Sequence, residues 1–90
     1  MPLARRLDIV NRKGLHARAS AKFVETVERH NASAQVSRDG QTVTGESIMG
    51  LLLLAAAQGC CIDVETDGPE AEALMNALEA LVSSKFGEGE

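Results

Sequence analysis

An α+β fold, with four antiparallel strands under three helices, is predicted by the order of segments in this 90-residue chain, β-α-β-β-α-β-α. Two further observations narrow the arrangement. Asp39-Gly40 joins two short alternating runs as a hairpin, and the two long helical segments each carry their apolar residues on one side. Helices laid on one face of an antiparallel sheet bury all of these surfaces together. With 44% hydrophobic and 24% charged residues the chain falls among ordinary globular proteins, and its length suits a single domain over residues 1–90.

The elements follow in order. "LARRLDIV" is expected to be the first strand, and "NRKG" the turn after it. A helix begins near Leu15 or His16. Its inward stripe reads Ala17, Ser20, Val24 and Val27 with Phe23 alongside, while Lys22, Glu25 and Arg29 lie off it. "RHN" marks its end: His30 meets the negative end of the helix dipole in the last turn, a structural role, and Asn31 takes a left-handed cap. "SAQVSRDGQTVT" supplies strands two and three around a type I′ turn.

"ESIMGLLLLAA" reads as a short helix bounded by Gly45 and Gln58-Gly59, with Ile48, Leu51, Leu52 and Ala55 toward the core. Met49, Leu53 and Leu54 are then left near the surface as an apolar docking patch. "CCIDVET" is strand four, with Cys60, Ile62 and Val64 inward and Cys61, Asp63 and Glu65 outward, so that only Cys61 is accessible. Asp67-Gly68-Pro69 opens the last helix, with Pro69 in its first turn and Ala71, Leu74, Met75, Leu78, Leu81, Val82 and Lys85 along one stripe. Phe86-Gly87 closes it, and residues 88–90 form a loose tail.

Composition removes several classes of function. Two Phe are the only aromatics, too few for base stacking, so nucleic acid is not an expected partner. The start has no apolar segment of a signal peptide, and the longest apolar run, "IMGLLLLAAA", is far short of the ~20 residues a membrane span needs. A cytoplasmic monomer without membrane insertion is expected. The adjacent Cys60-Cys61 match neither a zinc knuckle nor a C-x-x-C redox pair, so reduced thiols, no metal and no cofactor are expected.

The net charge of -4 conceals an asymmetry: residues 1–30 hold seven cations against three acids, residues 31–90 two against ten. Arg12, Lys13, Arg18, Lys22 and Arg29 surround His16, either as a site for an anion or acidic partner or as a solvated helix face. If the helix begins at Ala17, His16 is its cap, and the unsatisfied N–H groups of the first turn make an anion site beside the imidazole. A neutral imidazole is a nucleophile near pH 7, and Arg18 offers several donors to phosphate oxygens. Gly14 lets the chain turn sharply and a partner approach the ring. The pattern leaves open a solvent-exposed histidine beside a glycine turn, but no serine or carboxylate in the segment completes a hydrolytic triad. Ser47, at the start of the short helix, reads either as a plain N-cap or as part of the docking surface beside the apolar patch.

"GLHARAS" followed by "AKFV", the Asp-Gly hairpin, "ESIMGLLLLAA" and "GCCIDVETDGPEAEALMNAL" resembles the histidine-containing phosphocarrier family, HPr, along nearly the whole chain. The resemblance implies an open-faced β-sandwich. It implies a stoichiometric phosphocarrier, not an enzyme: His16 accepts a phosphoryl group on its pros nitrogen from enzyme I, itself charged by phosphoenolpyruvate, and passes it to an enzyme IIA-type acceptor. Arg18 matches the family's active-site arginine. Ala19 departs from the proline common after that arginine, and "ARAS" is closer to nitrogen-branch and proteobacterial regulatory members, which feed regulatory acceptors in place of sugar permeases. Ser47-Ile48-Met49-Gly50 matches the target of HPr kinase/phosphorylase, with Glu46 where a lysine is often found. The rival reading is a regulatory binding module acting through the Ser47 helix patch.

Overall fold

Alternation builds the sheet. In β4 (Cys61–Asp67) Ile62, Val64 and Thr66 are buried and the residues between them exposed, the two-residue period of a strand with one face on a core. The structure, a computed structural model describing residues 2–87, pairs this strand with β1 (Leu3–Asp8) on one side and β2 (Ser33–Arg38) on the other, and β2 with β3 (Gln41–Thr44). All pairings are antiparallel, in the order β1-β4-β2-β3. The register sets Leu7 opposite Ile62 and Val36 opposite Val64, so one face of the sheet is continuous aliphatic surface. On the other face Arg6 pairs with Asp63 across the strands at 3.0 Å.

The hairpin turns as the sequence predicts. Asp39 and Gly40 both have positive φ, 51° and 82°, and Arg38 lies opposite Gln41, leaving two residues in the loop. Three helices cover the apolar face: α1 (Ala17–Glu28), α2 (Ile48–Leu53) and α3 (Ala71–Ser83). Phe23 and Val27 of α1 and Leu74, Met75 and Leu78 of α3 are fully buried with Val36, Ile62 and Val64 of the sheet. A short turn, Lys85–Gly87, returns Phe86 to this core.

Several sequence-based expectations are corrected. Ala17 is exposed, and the buried stripe of α1 runs through Ala19, Ser20, Phe23, Val24 and Val27, because the first helical residue lies above the covered surface. Asn31 has no positive φ: α1 ends at Glu28 with Arg29 as C-cap in a right-handed conformation, and His30 lies beyond the helix with Nδ1 2.7 Å from the Thr26 carbonyl. Pro69 stands before α3, whose N-cap is Glu70, and Lys85 lies past its end, so the stripe stops at Val82. The expected tail at 88–90 lies outside the described residues.

The largest correction falls on α2. Leu54 is 1% exposed and joins the core, whereas Ile48 is 40% exposed. Leu51 and Leu54, three apart, share the inward face, and the helix is shorter than expected because the chain turns out of it at Ala55, with φ 51°. Ala55 is exposed and Leu52 half-buried. A segment composed almost wholly of apolar residues has no polar side to reveal its phase, so the sequence pattern placed Leu51 correctly but set Ile48 and Ala55 inward and Leu54 outward.

Candidate functional site

The turn between β1 and α1 is built around one buried amide. Asn11, fully buried, donates from Nδ2 to the Gly14 carbonyl at 2.8 Å, and the Gly14 N–H returns to the Asn11 carbonyl at 3.2 Å. Gly14 holds φ +64°, and an added Cβ would lie 2.3 Å from the Ala56 carbonyl oxygen. The next residue, Leu15, is buried and donates its N–H to that carbonyl at 2.9 Å. Ser20 Oγ donates to the Leu15 carbonyl at 3.2 Å. The loop that precedes His16 is thus fixed from three sides: by Asn11, by the segment leaving α2, and by α1 itself.

His16 is the N-cap of α1, with extended backbone (φ -75°, ψ -179°), and its carbonyl accepts the first helical bond from the Ser20 N–H at 2.8 Å. Its half-buried ring turns back over the helix end, where Nδ1 accepts the Arg18 N–H at 3.2 Å. A ring nitrogen that accepts a backbone N–H carries a lone pair and no proton, so in the neutral ring the proton sits on Nε2. That lone pair faces the start of the helix through the Arg18 N–H. No acidic residue belongs to the first turn, whose backbone dipole favours negative charge. Arg12, Lys13 and Arg18 are exposed around it.

A helix cap offering a histidine lone pair among free-end amides, on this sandwich, is the arrangement to compare with known proteins. The family model described as PTS HPr component phosphorylation site matches residues 3–84. The chain belongs to the HPr family. These are the phosphocarriers of the phosphotransferase system. The phosphocarrier protein HPr of Neisseria meningitidis is 46% identical over 88 residues, covering 98% of this chain and 99% of its own. That of Pseudomonas aeruginosa is 40% identical over 85 residues, covering 93% and 94%. Among solved structures, HPr-C-His from Thermoanaerobacter tengcongensis is similar with a TM-score of 0.91 at 36% identity, covering 96% of this chain and 97% of that one.

The other candidate residues of this chain fall in separate places. Ser47 is the N-cap of α2 and its Oγ accepts the Gly50 N–H at 3.0 Å. Met49 and Leu53, four apart on one side of α2, are 67% and 70% exposed, and with Ile48 they form the apolar patch from which Leu54 is withdrawn. Cys61 is exposed, but its thiol donates to an Asp8 carboxylate oxygen at 3.2 Å, and this bond, with partial loss of solvent, pushes the thiol pKa up, against thiolate formation. Among the described residues no group of three or more His, Cys, Asp or Glu could hold a metal ion, and no helix is long and apolar enough to cross a membrane.

Sequence reasoning missed Asn11 and read Ser20 only as part of an apolar stripe. An Asn-x-x-Gly turn directly before a helix is a signal that could have marked Asn11, because a short amide can bond back to the turn it opens. Nothing in the sequence marks Ala56 as the carbonyl on which Leu15 rests.

Proposed function

We propose that this chain carries phosphoryl groups on His16 Nδ1, accepting them from phosphorylated enzyme I and delivering them to an enzyme IIA-type acceptor. The observation that carries the reading is the His16 Nδ1 lone pair held at 3.2 Å from the Arg18 N–H, at the start of a helix whose first turn holds no acidic residue. As the Nδ1–P bond forms, the bond from phosphorus to the donor breaks and the donor keeps that electron pair. The Arg18 N–H released by Nδ1 is then placed to bond a phosphoryl oxygen, with the neighbouring first-turn amides and the Arg18 guanidinium adding charge-assisted donors. The transfer is reversible in kind because the same donors serve the attacking and the leaving group.

The test is incubation with phosphoenolpyruvate and enzyme I, followed by acid and alkali treatment of the product. An acid-labile, alkali-stable phosphoryl group is expected; its absence overturns the reading. Arg18 is exposed, so Arg18→Lys should leave the melting curve in place while slowing labelling roughly tenfold, the cost of about one charge-assisted hydrogen bond. Unchanged labelling would remove Arg18 from the site.

The α2 patch is assigned to partner docking, and Ser47, beside it, to regulation by a kinase. A phosphate adds about -1.5 to -2 charge at pH 7 and must be desolvated when a partner covers Met49 and Leu53. Ser47→Asp keeps an oxygen acceptor for the Gly50 N–H, so the fold should be unchanged. Labelling of His16 by enzyme I should slow roughly fivefold or more. Equal rates for the two proteins would leave Ser47 as a helix cap alone.

A further inference from the structure

We propose that Arg38 is a positioning residue for His16, because its guanidinium holds the end of α2 from which the His16 loop is suspended. The inference rests on His16 as the phosphoryl acceptor. Arg38 is the last residue of β2, separated from β1 by β4, and nothing in its sequence context connects it with the histidine. Its side chain is 26% exposed, and the guanidinium divides between partners. Nη1 donates to the Leu54 carbonyl at 2.8 Å and lies 3.5 Å from Asp39 Oδ2, while Nη2 donates to Cys60 Sγ at 3.3 Å.

The Leu54 carbonyl is one of the oxygens that the end of α2 leaves without an intrahelical partner. Directly after it Ala55 takes φ 51°, a conformation that a residue with Cβ keeps only when its surroundings enforce it. The carbonyl of the next residue, Ala56, accepts the Leu15 N–H at 2.9 Å, and the Gly14 backbone lies against Ala56 and Ala57. The path from Arg38 to His16 is therefore short: guanidinium, Leu54 carbonyl, the strained Ala55, Ala56 carbonyl, Leu15 N–H, His16. The Cys60 N–H to Ala57 carbonyl bond at 2.9 Å pins the other end of the same segment. Without Arg38, Ala55 can relax toward negative φ, which rotates the Ala56 carbonyl away from Leu15 and frees the residue next to the nucleophile. The planar fork matters because two separate acceptors, Leu54 O and Cys60 Sγ, set its orientation; a lysine can meet only one of them at a time.

Four proteins test this: wild type, Arg38→Ala, Arg38→Lys, and Arg6→Ala as a control that removes a guanidinium from the exposed face of the sheet. Amide hydrogen exchange by NMR reads the Leu15 N–H directly, and phosphorylation kinetics with enzyme I separate kcat from KM. In Arg38→Ala the Leu15 amide should exchange roughly 5- to 10-fold faster than in wild type, beyond any change at the Val36 and Val64 amides. Its kcat should fall by a similar factor with KM for this protein unchanged, since the exposed α2 patch keeps its side chains. Arg38→Lys should recover part of both losses, and Arg6→Ala should match wild type. Leu15 exchange that is unchanged, or that rises only in step with the sheet amides, overturns the proposal. So does lost Leu15 protection with an unchanged kcat. If wild type itself is not phosphorylated, the acceptor reading fails, and the exchange measurement still decides whether Arg38 braces the loop.

Discussion

His16→Ala is expected to abolish the acid-labile label from phosphoenolpyruvate and enzyme I, while His30→Ala labels at the wild-type rate. The two histidines differ in what their ring nitrogens meet. His30 Nδ1 lies 2.7 Å from the Thr26 carbonyl, so that nitrogen bears the proton and donates; the lone pair of the neutral ring is then on Nε2, and the ring lies past the C-terminal end of α1, where the helix offers carbonyls and not N–H donors to an anion. His16 Nδ1 accepts an N–H, so its lone pair lies at the start of α1, as the proposed acceptor role requires. The substitution also removes the side-chain cap of α1, which costs about 1 kcal/mol for a typical N-cap and lowers the melting temperature of a domain this size by about 4–8 °C. The variant should therefore be folded at 25 °C and silent in labelling. Retained label in His16→Ala, or its loss in His30→Ala alone, would place the acceptor elsewhere.

Gly14→Ala is expected to be the most damaging single-methyl change near the site. The new Cβ would lie 2.3 Å from the Ala56 carbonyl oxygen and 2.8 Å from Ala57 Cα, both backbone atoms that cannot step aside as a side chain would. It also forces a residue with Cβ to hold φ +64°, a cost of about 1–2 kcal/mol before any collision. Displacing Ala56 breaks the Leu15 hydrogen bond, about 1 kcal/mol more. A total of about 2–3 kcal/mol follows, together with slower labelling because His16 moves with the loop. Gly40→Ala separates the two costs: Gly40 has φ +82° and nothing within 4 Å of an added Cβ, so it loses only the conformational part and its labelling rate is unchanged. Equal melting temperatures and rates for the two variants would show that the contact with Ala56 has no bearing on His16.

Much of the site was legible because its parts are adjacent in sequence. A turn ending in Gly14, a histidine immediately before Ala17, and an arginine in the first turn obey local rules of capping and turn chemistry that act within a few residues. The same holds for Ser47, whose cap bond reaches three residues to Gly50. The contacts that position these groups were not legible. Leu15 rests on Ala56 and Arg38 on Leu54, residues 41 and 16 positions away, and alanine or leucine carbonyls carry no side-chain signature of what they accept.

What the amino-acid sequence determined by itself is the order of strands and helices, the Asp39-Gly40 hairpin, the alternation of β4, and a histidine poised at the start of α1. Each rests on contrast between polar and apolar residues at a fixed period, or on a residue whose backbone preference is strong. Only the tertiary structure decided which leucine of α2 enters the core, where that helix stops, and what holds the His16 loop. The physical reason is the same throughout. Periodicity can orient a segment only when one side of it is polar, and "IMGLLLLAAA" has no such side. Its inward face and its end are chosen by the surfaces it meets: the core that takes Leu51 and Leu54, the Arg38 guanidinium on the Leu54 carbonyl, and the Leu15 N–H on the carbonyl of Ala56.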